Sequence, residues 1–206
     1  MQPKKSIILV GIVICLNAFY GCAGLKKEPI EKKYFDLNIN LPASNQNSIS
    51  QGTALLVKEF FINSTFDSHS FVYRVGKNEY VTDYYNEFVS YPARLVTEKI
   101  EENLYASSLF TPALTNIKQD IDFRLSGKIT NLYGDFQDTN DPKAIIEIRM
   151  ALEKRVDKTF QVISEKTYRS EENISTHAPA HLVSGWNTGL LKIVTQFIND
   201  FQTPTP

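Results

Sequence analysis

The glycine–cysteine pair Gly21-Cys22 is the feature of this sequence best placed to do chemistry. It closes an N-terminal stretch in which Lys4 and Lys5 precede the apolar run Ile7–Leu16. The thiolate is the strong nucleophile among side chains, and here it directly follows a small residue, where a leader is cut. The run falls well short of the about 20 apolar residues that a membrane-spanning helix needs, so the stretch reads as a secretory signal. Cys15, the other of the two cysteines, lies inside that run and leaves with it. His177 and His181 are four apart, a spacing that can hold a metal on a helix, but Pro179 stands between them and opposes a regular turn. With no third ligand nearby they read as loop or helix-start residues, and His69 as a solvated one. No G-x-S-x-G, H-E-x-x-H or glycine-rich phosphate loop occurs. The expectation is no catalytic residues, no metal and no enzyme.

Phe19-Tyr20-Gly21-Cys22 resembles the lipobox of bacterial lipoproteins. That resemblance implies cleavage between Gly21 and Cys22, a diacylglyceryl thioether on the Cys22 sulfur and an N-acyl chain on its freed amine, with no other cofactor. Stable anchoring takes two lipid signals, and three chains exceed that. Ala23, rather than Asp, after the cysteine implies sorting to the outer membrane, with the body facing the periplasm.

The chain has 206 residues, with 22 Lys and Arg against 23 Asp and Glu and a net charge of −1. Loss of Lys4 and Lys5 with the leader makes the remainder more acidic, which excludes the basic balance of a nucleic-acid binder. A body free of cysteine thiols suits an oxidising compartment. The expected organisation is a signal over 1–21, lipidated Cys22 with a charged flexible tether to 33, one domain over 34–202 and a loose TPTP tail.

Thr53–Ile62 reads as a buried strand, and Asn38–Gly52 and Asn63–Ser70 as loop and connector. Ser70–Val75 and Glu79–Phe88 read as a hairpin. Pro92 opens an amphipathic helix carrying Leu95, Val96, Ile100 and Leu104 on one side and ending near Ser107. Ile121–Tyr133 alternates cleanly, with Ile121, Phe123, Leu125, Gly127, Ile129 and Tyr133 on one face. Ala144–Leu152 alternates likewise, and Phe160–Arg169 completes an antiparallel meander. Pro179 precedes a last helix, whose stripe is Leu182, Val183, Trp186, Leu190, Val194, Ile198 and Phe201. Trp186 reads as core. The predicted fold is α+β: a mixed, largely antiparallel sheet packed against two long helices, sandwich-like.

Tyr80, Tyr84, Tyr85 and Tyr91 form an aromatic run beside Phe88. Period-2 reasoning puts Tyr80, Tyr84 and Phe88 on one face and Tyr85 and Tyr91 on the other. Either the run is an amphipathic strand edge, or the four tyrosines are an exposed surface for a partner.

Three stretches resemble the ABC-type transport auxiliary lipoproteins, the PqiC-like group. They are Phe71-Val72-Tyr73-Arg74, Leu104–Phe110 and Leu125–Phe136 (LSGKITNLYGDF). Where the family carries a tryptophan before the helix proline, this chain has Phe88 and Tyr91. The resemblance covers roughly Tyr34 to Phe201. It implies an α/β sandwich with no catalytic residues, working beside an ABC permease and ATPase and an MCE-domain protein in intermembrane lipid transport. It also implies docking of the MCE component at the outer membrane and ring-like homo-oligomers. The competing reading is a lipoprotein helper of another envelope machine, either a peptidoglycan synthase activator or a lipopolysaccharide export factor.

Overall fold

The computed structural model describes residues 31–41, 53–113 and 121–202. Gly21, Cys22, most of the expected tether and the tail lie outside the described residues. Nine strands are named in chain order: β1 Lys33–Phe35, β2 Thr53–Val57, β3 Phe61–Ile62, β4 Ser70–Gly76, β5 Glu79–Phe88, β6 Phe110–Pro112, β7 Phe123–Asp135, β8 Lys143–Val156 and β9 Thr159–Asn173. The helices are α1 (Pro92–Ala106) and α2 (Pro179–Gln202). This is the α+β architecture the patterning predicts, a mixed sheet with helices packed against it.

β7 is the spine. On one side it pairs antiparallel with β8, which pairs antiparallel with β9. On the other side three short strands run parallel to successive stretches of it: β2 at Phe123–Leu125, β3 at Lys128–Ile129 and β4 at Gly134–Asp135. β6 lies parallel to β2, β5 antiparallel to β4, and β1 parallel to β5. The helices touch each other and cover one face, burying Trp186, Leu190 and Val194 of α2 and Leu95, Val96 and Ile100 of α1.

Four expectations need correction. The strand expected over Thr53–Ile62 breaks in two. The Lys58 N–H donates to Leu125 O, and the Phe60 N–H leaves the sheet to donate to Thr97 Oγ1 of α1 at 2.9 Å. Phe60 then lies over Gly127, where a Cβ would collide with its ring. The tether ends earlier than expected, since Lys33 already belongs to β1. The described part of the polar loop is tied down: Leu37 and Ile39 are buried, and the buried Asn103 amide donates to Ile39 O and accepts from the Leu41 N–H. The alternation in β7 also fails after Ile129. A register shift between Ile129 and Asn131 adds one residue, turning Leu132 toward the helices and Tyr133 to the opposite face. A one-residue slip reverses every later side chain.

Candidate functional site

The hairpin β4–β5 carries the tyrosine run. A second irregularity, where the register jumps from Ser70 opposite Glu87 to Val72 opposite Thr82, governs its faces. Asp83 holds this bend: its Oδ1 accepts from the N–H groups of Tyr85 and Asn86, and its Oδ2 accepts from Tyr73 Oη at 2.6 Å. Burial opposes the Asp83 charge, but the Tyr73 hydroxyl and the Asn86 amide outweigh it and hold the carboxyl below the usual range.

The bulge separates residues that a plain period-2 count joins. Phe88 turns to the helix side, against Phe71 and Trp186 with ring centroids 4.6 and 5.3 Å away. Tyr80 faces the other way, edge-on to Tyr133 and Phe66. The shared face expected for Tyr80 and Phe88 is therefore corrected. The four tyrosines occupy three places. Tyr84, 69% exposed, meets Tyr85 edge-to-face at 5.2 Å, with Lys32 Nζ 4.6 Å from its ring centre. Lys32 also pairs with Glu87, across from Tyr34, another exposed tyrosine. Tyr91 stands apart against His69, whose Nδ1 lies 3.1 Å from Phe88 O. The structure thus brings Tyr84 and Tyr85 together with Tyr34 and Lys32, and it splits off Tyr80 and Tyr91.

Two of the three stretches that carry the family resemblance meet each other. Tyr73 lies opposite Gly134 and Arg74 opposite Asp135 in the parallel β4–β7 pair. Tyr73 stacks on Phe136 at 4.9 Å, while Arg74 sits over the Tyr133 ring and pairs with both Asp135 oxygens, its Nε at 3.2 Å from Oδ1. A bidentate guanidinium–carboxylate pair fixes orientation as well as charge. These residues lock two strands far apart in sequence, and β4 in turn carries the tyrosine-bearing β5.

His177 and His181 go to different neighbours. His177 lies edge-on to Phe136 at 4.5 Å, and His181 Nδ1 is 2.8 Å from Thr176 Oγ1 and 3.0 Å from Ser175 Oγ. Among the described residues no group of three or more His, Cys, Asp or Glu converges on a point. No described helix is long and apolar enough to cross a membrane.

One concavity has no signature in the sequence. Where the C-terminal turns of α2 pass the start of β7, the end of β8 and the start of β9, a groove of about 370 Å³ opens. Phe123, Leu152, Ile163 and Phe201 supply its apolar lining, and Lys154, Lys166 and Asp200 its charged groups. The alternation that carries Met150 and Leu152 is legible in the sequence, but not Lys154's place beyond it, nor that the helix above leaves this end uncovered.

No family model matches the chain, and no curated protein matches it by sequence. Its fold is similar to that of protein XCC0632 from Xanthomonas campestris, of family DUF330, with a TM-score of 0.69 at 14% identity, covering 83% of this chain and 100% of that one. A second, uncharacterized protein superposes with a TM-score of 0.67 at 15% identity, over 83% of this chain and 99% of its own. The hypothetical protein CT253 from Chlamydia trachomatis is more distant, with a TM-score of 0.51 at 8% identity over 73% and 96%. These likenesses establish a shared fold.

Proposed function

We propose that this chain is an outer-membrane lipoprotein serving as a non-catalytic auxiliary component of an MCE/ABC-type intermembrane lipid transport system. It docks the periplasmic MCE protein at the outer membrane. The likeness to a DUF330 structure is the observation that carries this reading, because the PqiC-like lipoproteins belong to that family. The Gly21-Cys22 pattern supplies the anchor. Acyl chains on Cys22 hold the domain to the outer membrane, facing the periplasm, and each buried methylene contributes about 0.8 kcal/mol. The domain then needs only a protein surface. The Tyr84–Tyr85 pair with Tyr34 suits that role, since aromatic side chains bring large contact area at low entropic cost.

The test is to crosslink living cells, purify the acylated protein from outer membranes and identify what comes with it. The expected result is a mature chain beginning at acylated Cys22 and co-purifying with an MCE-domain protein. An unmodified Cys22, or a cell-wall synthase or lipopolysaccharide exporter in place of the MCE protein, overturns the proposal.

A further inference from the structure

The groove at the C-terminal end of α2 has the makings of a ligand site. At about 370 Å³ it falls inside the range of small-molecule pockets, about 300–1,000 Å³. Its charges are arranged along its length. On β8 and β9, Lys154 lies opposite Gln161, Leu152 opposite Ser164, and Met150 opposite Lys166. Lys154 and Lys166 therefore stand at opposite ends, about 13 Å apart at about 3.3 Å per strand residue.

The Lys166 end is closed electrostatically. Its Nζ lies 2.8 Å from Asp200 Oδ2, which also accepts from Tyr168 Oη at 2.9 Å. Lys166, and then the Tyr168 hydroxyl against a small burial cost, hold the Asp200 carboxyl below its usual range, so it stays ionised and cancels Lys166. At the other end Lys154 has no ion pair among the described residues. Between the two lie apolar side chains. Leu152 is buried in the floor, Phe201 is edge-on to Phe123 at 5.6 Å, and Ile163 is 51% exposed on a strand facing solvent. Phe123, Leu152, Ile163, Phe197 and Phe201 line the same groove, and a mostly apolar lining with a few placed polar groups is what small-molecule sites share.

We propose that this groove binds the acyl chain of an anionic amphiphile, with its carboxylate or phosphate head at Lys154 and its tail against Leu152, Ile163 and Phe201. The unpaired Lys154 argues for an anionic head, and the apolar side chains between the two lysines argue for an acyl tail. The site does not depend on which envelope machine the chain serves, so loss of the MCE partner leaves it standing.

Photocrosslinking of the full chain in cells tests it. Benzoylphenylalanine is placed at Ile163 and, as a control, at Thr167, which is exposed on the same strand and outside the groove. Cells are labelled with ³²P-phosphate and the adducts are weighed. The expected result is an acyl-lipid adduct at Ile163 and none at Thr167. A ³²P-bearing adduct identifies a phosphate head, and a phosphorus-free fatty-acid mass a carboxylate. Lys154→Glu, at an exposed position, lowers the yield by about tenfold, the worth of one charge-assisted contact. The proposal is overturned by equal labelling at both positions or a neutral-lipid adduct, and equally by a protein adduct or a yield indifferent to Lys154→Glu. It is also overturned if Ile163 joins the chain's own tail or its own anchor.

Discussion

The two ends of α2 meet the sheet differently. At the N-terminal end the stripe facing β8 carries Gly185 and Gly189. A Cβ on Gly185 would lie 2.5 Å from Ala144 Cβ, and one on Gly189 would lie 2.9 Å from Ile146 Cγ2. Without those side chains the helix seats directly on the strand, and Trp186 beside them is fully buried, its Nε1–H donating to Ile145 O at 3.2 Å. At the C-terminal end the same stripe carries Phe197 and Phe201. These rings meet Tyr168 at 6.2 Å and Phe123 at 5.6 Å, and the groove opens beside them. Side-chain size along a single stripe distinguishes the two ends: glycines let one seat closely on the strand, and at the other, beside phenylalanines, the groove opens.

The comparison can be broken at several points, the largest at the sealed end. Trp186→Ala removes the largest fully buried side chain and should cost about 3–5 kcal/mol, read as a fall in urea midpoint. A loss under about 1 kcal/mol would mean the N-terminal end is not closely packed.

Gly185→Ala is the sharper probe. An exposed helical glycine would gain up to about 1 kcal/mol on becoming alanine. Here the added methyl meets Ala144 on a strand that cannot yield, and overpacking should make the variant about 1–3 kcal/mol less stable. Stabilisation instead would show that the helix does not seat on glycine. At the open end Phe201→Ala should cost less, about 1–2 kcal/mol, because the ring is only partly buried and water already reaches the groove. A loss matching that of Trp186→Ala would erase the distinction between the ends.

Asp200 gives the comparison a pH signature. Its folded pKa is lowered, so its contribution is present above the ordinary carboxylate range, near pH 4, and is lost as pH falls through the depressed value. Because the pair is well exposed, that contribution is worth only about a few tenths of a kcal/mol. Asp200→Asn should therefore be slightly less stable than the parent at pH 7 and indistinguishable from it near pH 2. A gap that persists in acid would exclude the ion pair as its cause. The smallest effect is at Tyr84. Replacement by Ala should shift stability by less than about 0.5 kcal/mol, yet weaken crosslinking to the MCE protein. Unchanged crosslinking would remove Tyr84 from the partner surface.

The meander and both helices were legible because alternation and helical stripes are local signals, and each begins or ends at a proline or a short polar turn. What stayed hidden was non-local. The parallel pairing of β2, β3 and β4 with β7 joins segments up to 68 residues apart, as between Leu55 and Phe123, and no period announces it. The bulges at Thr130 and near Asp83 reverse the faces of Tyr133 and Phe88 relative to a plain period-2 count. Asp83 offered a clue, being a side chain suited to capping backbone N–H groups within a run of aromatics. The tyrosines could be named from sequence but not grouped, since their grouping depends on that bulge and on Lys32 arriving through β1. The groove depends on where a helix stops covering a sheet, which only the assembled packing determines.

Recovery of crosslinked partners from cells expressing the wild-type chain or its Cys22→Ala variant tests the central claim most directly. If the lipid anchor positions this domain at the outer-membrane end of a transport conduit, the MCE-domain protein is captured by the wild type and lost or strongly reduced with Cys22→Ala. Capture of a cell-wall synthase or lipopolysaccharide exporter, with no MCE-domain protein in either sample, would contradict it.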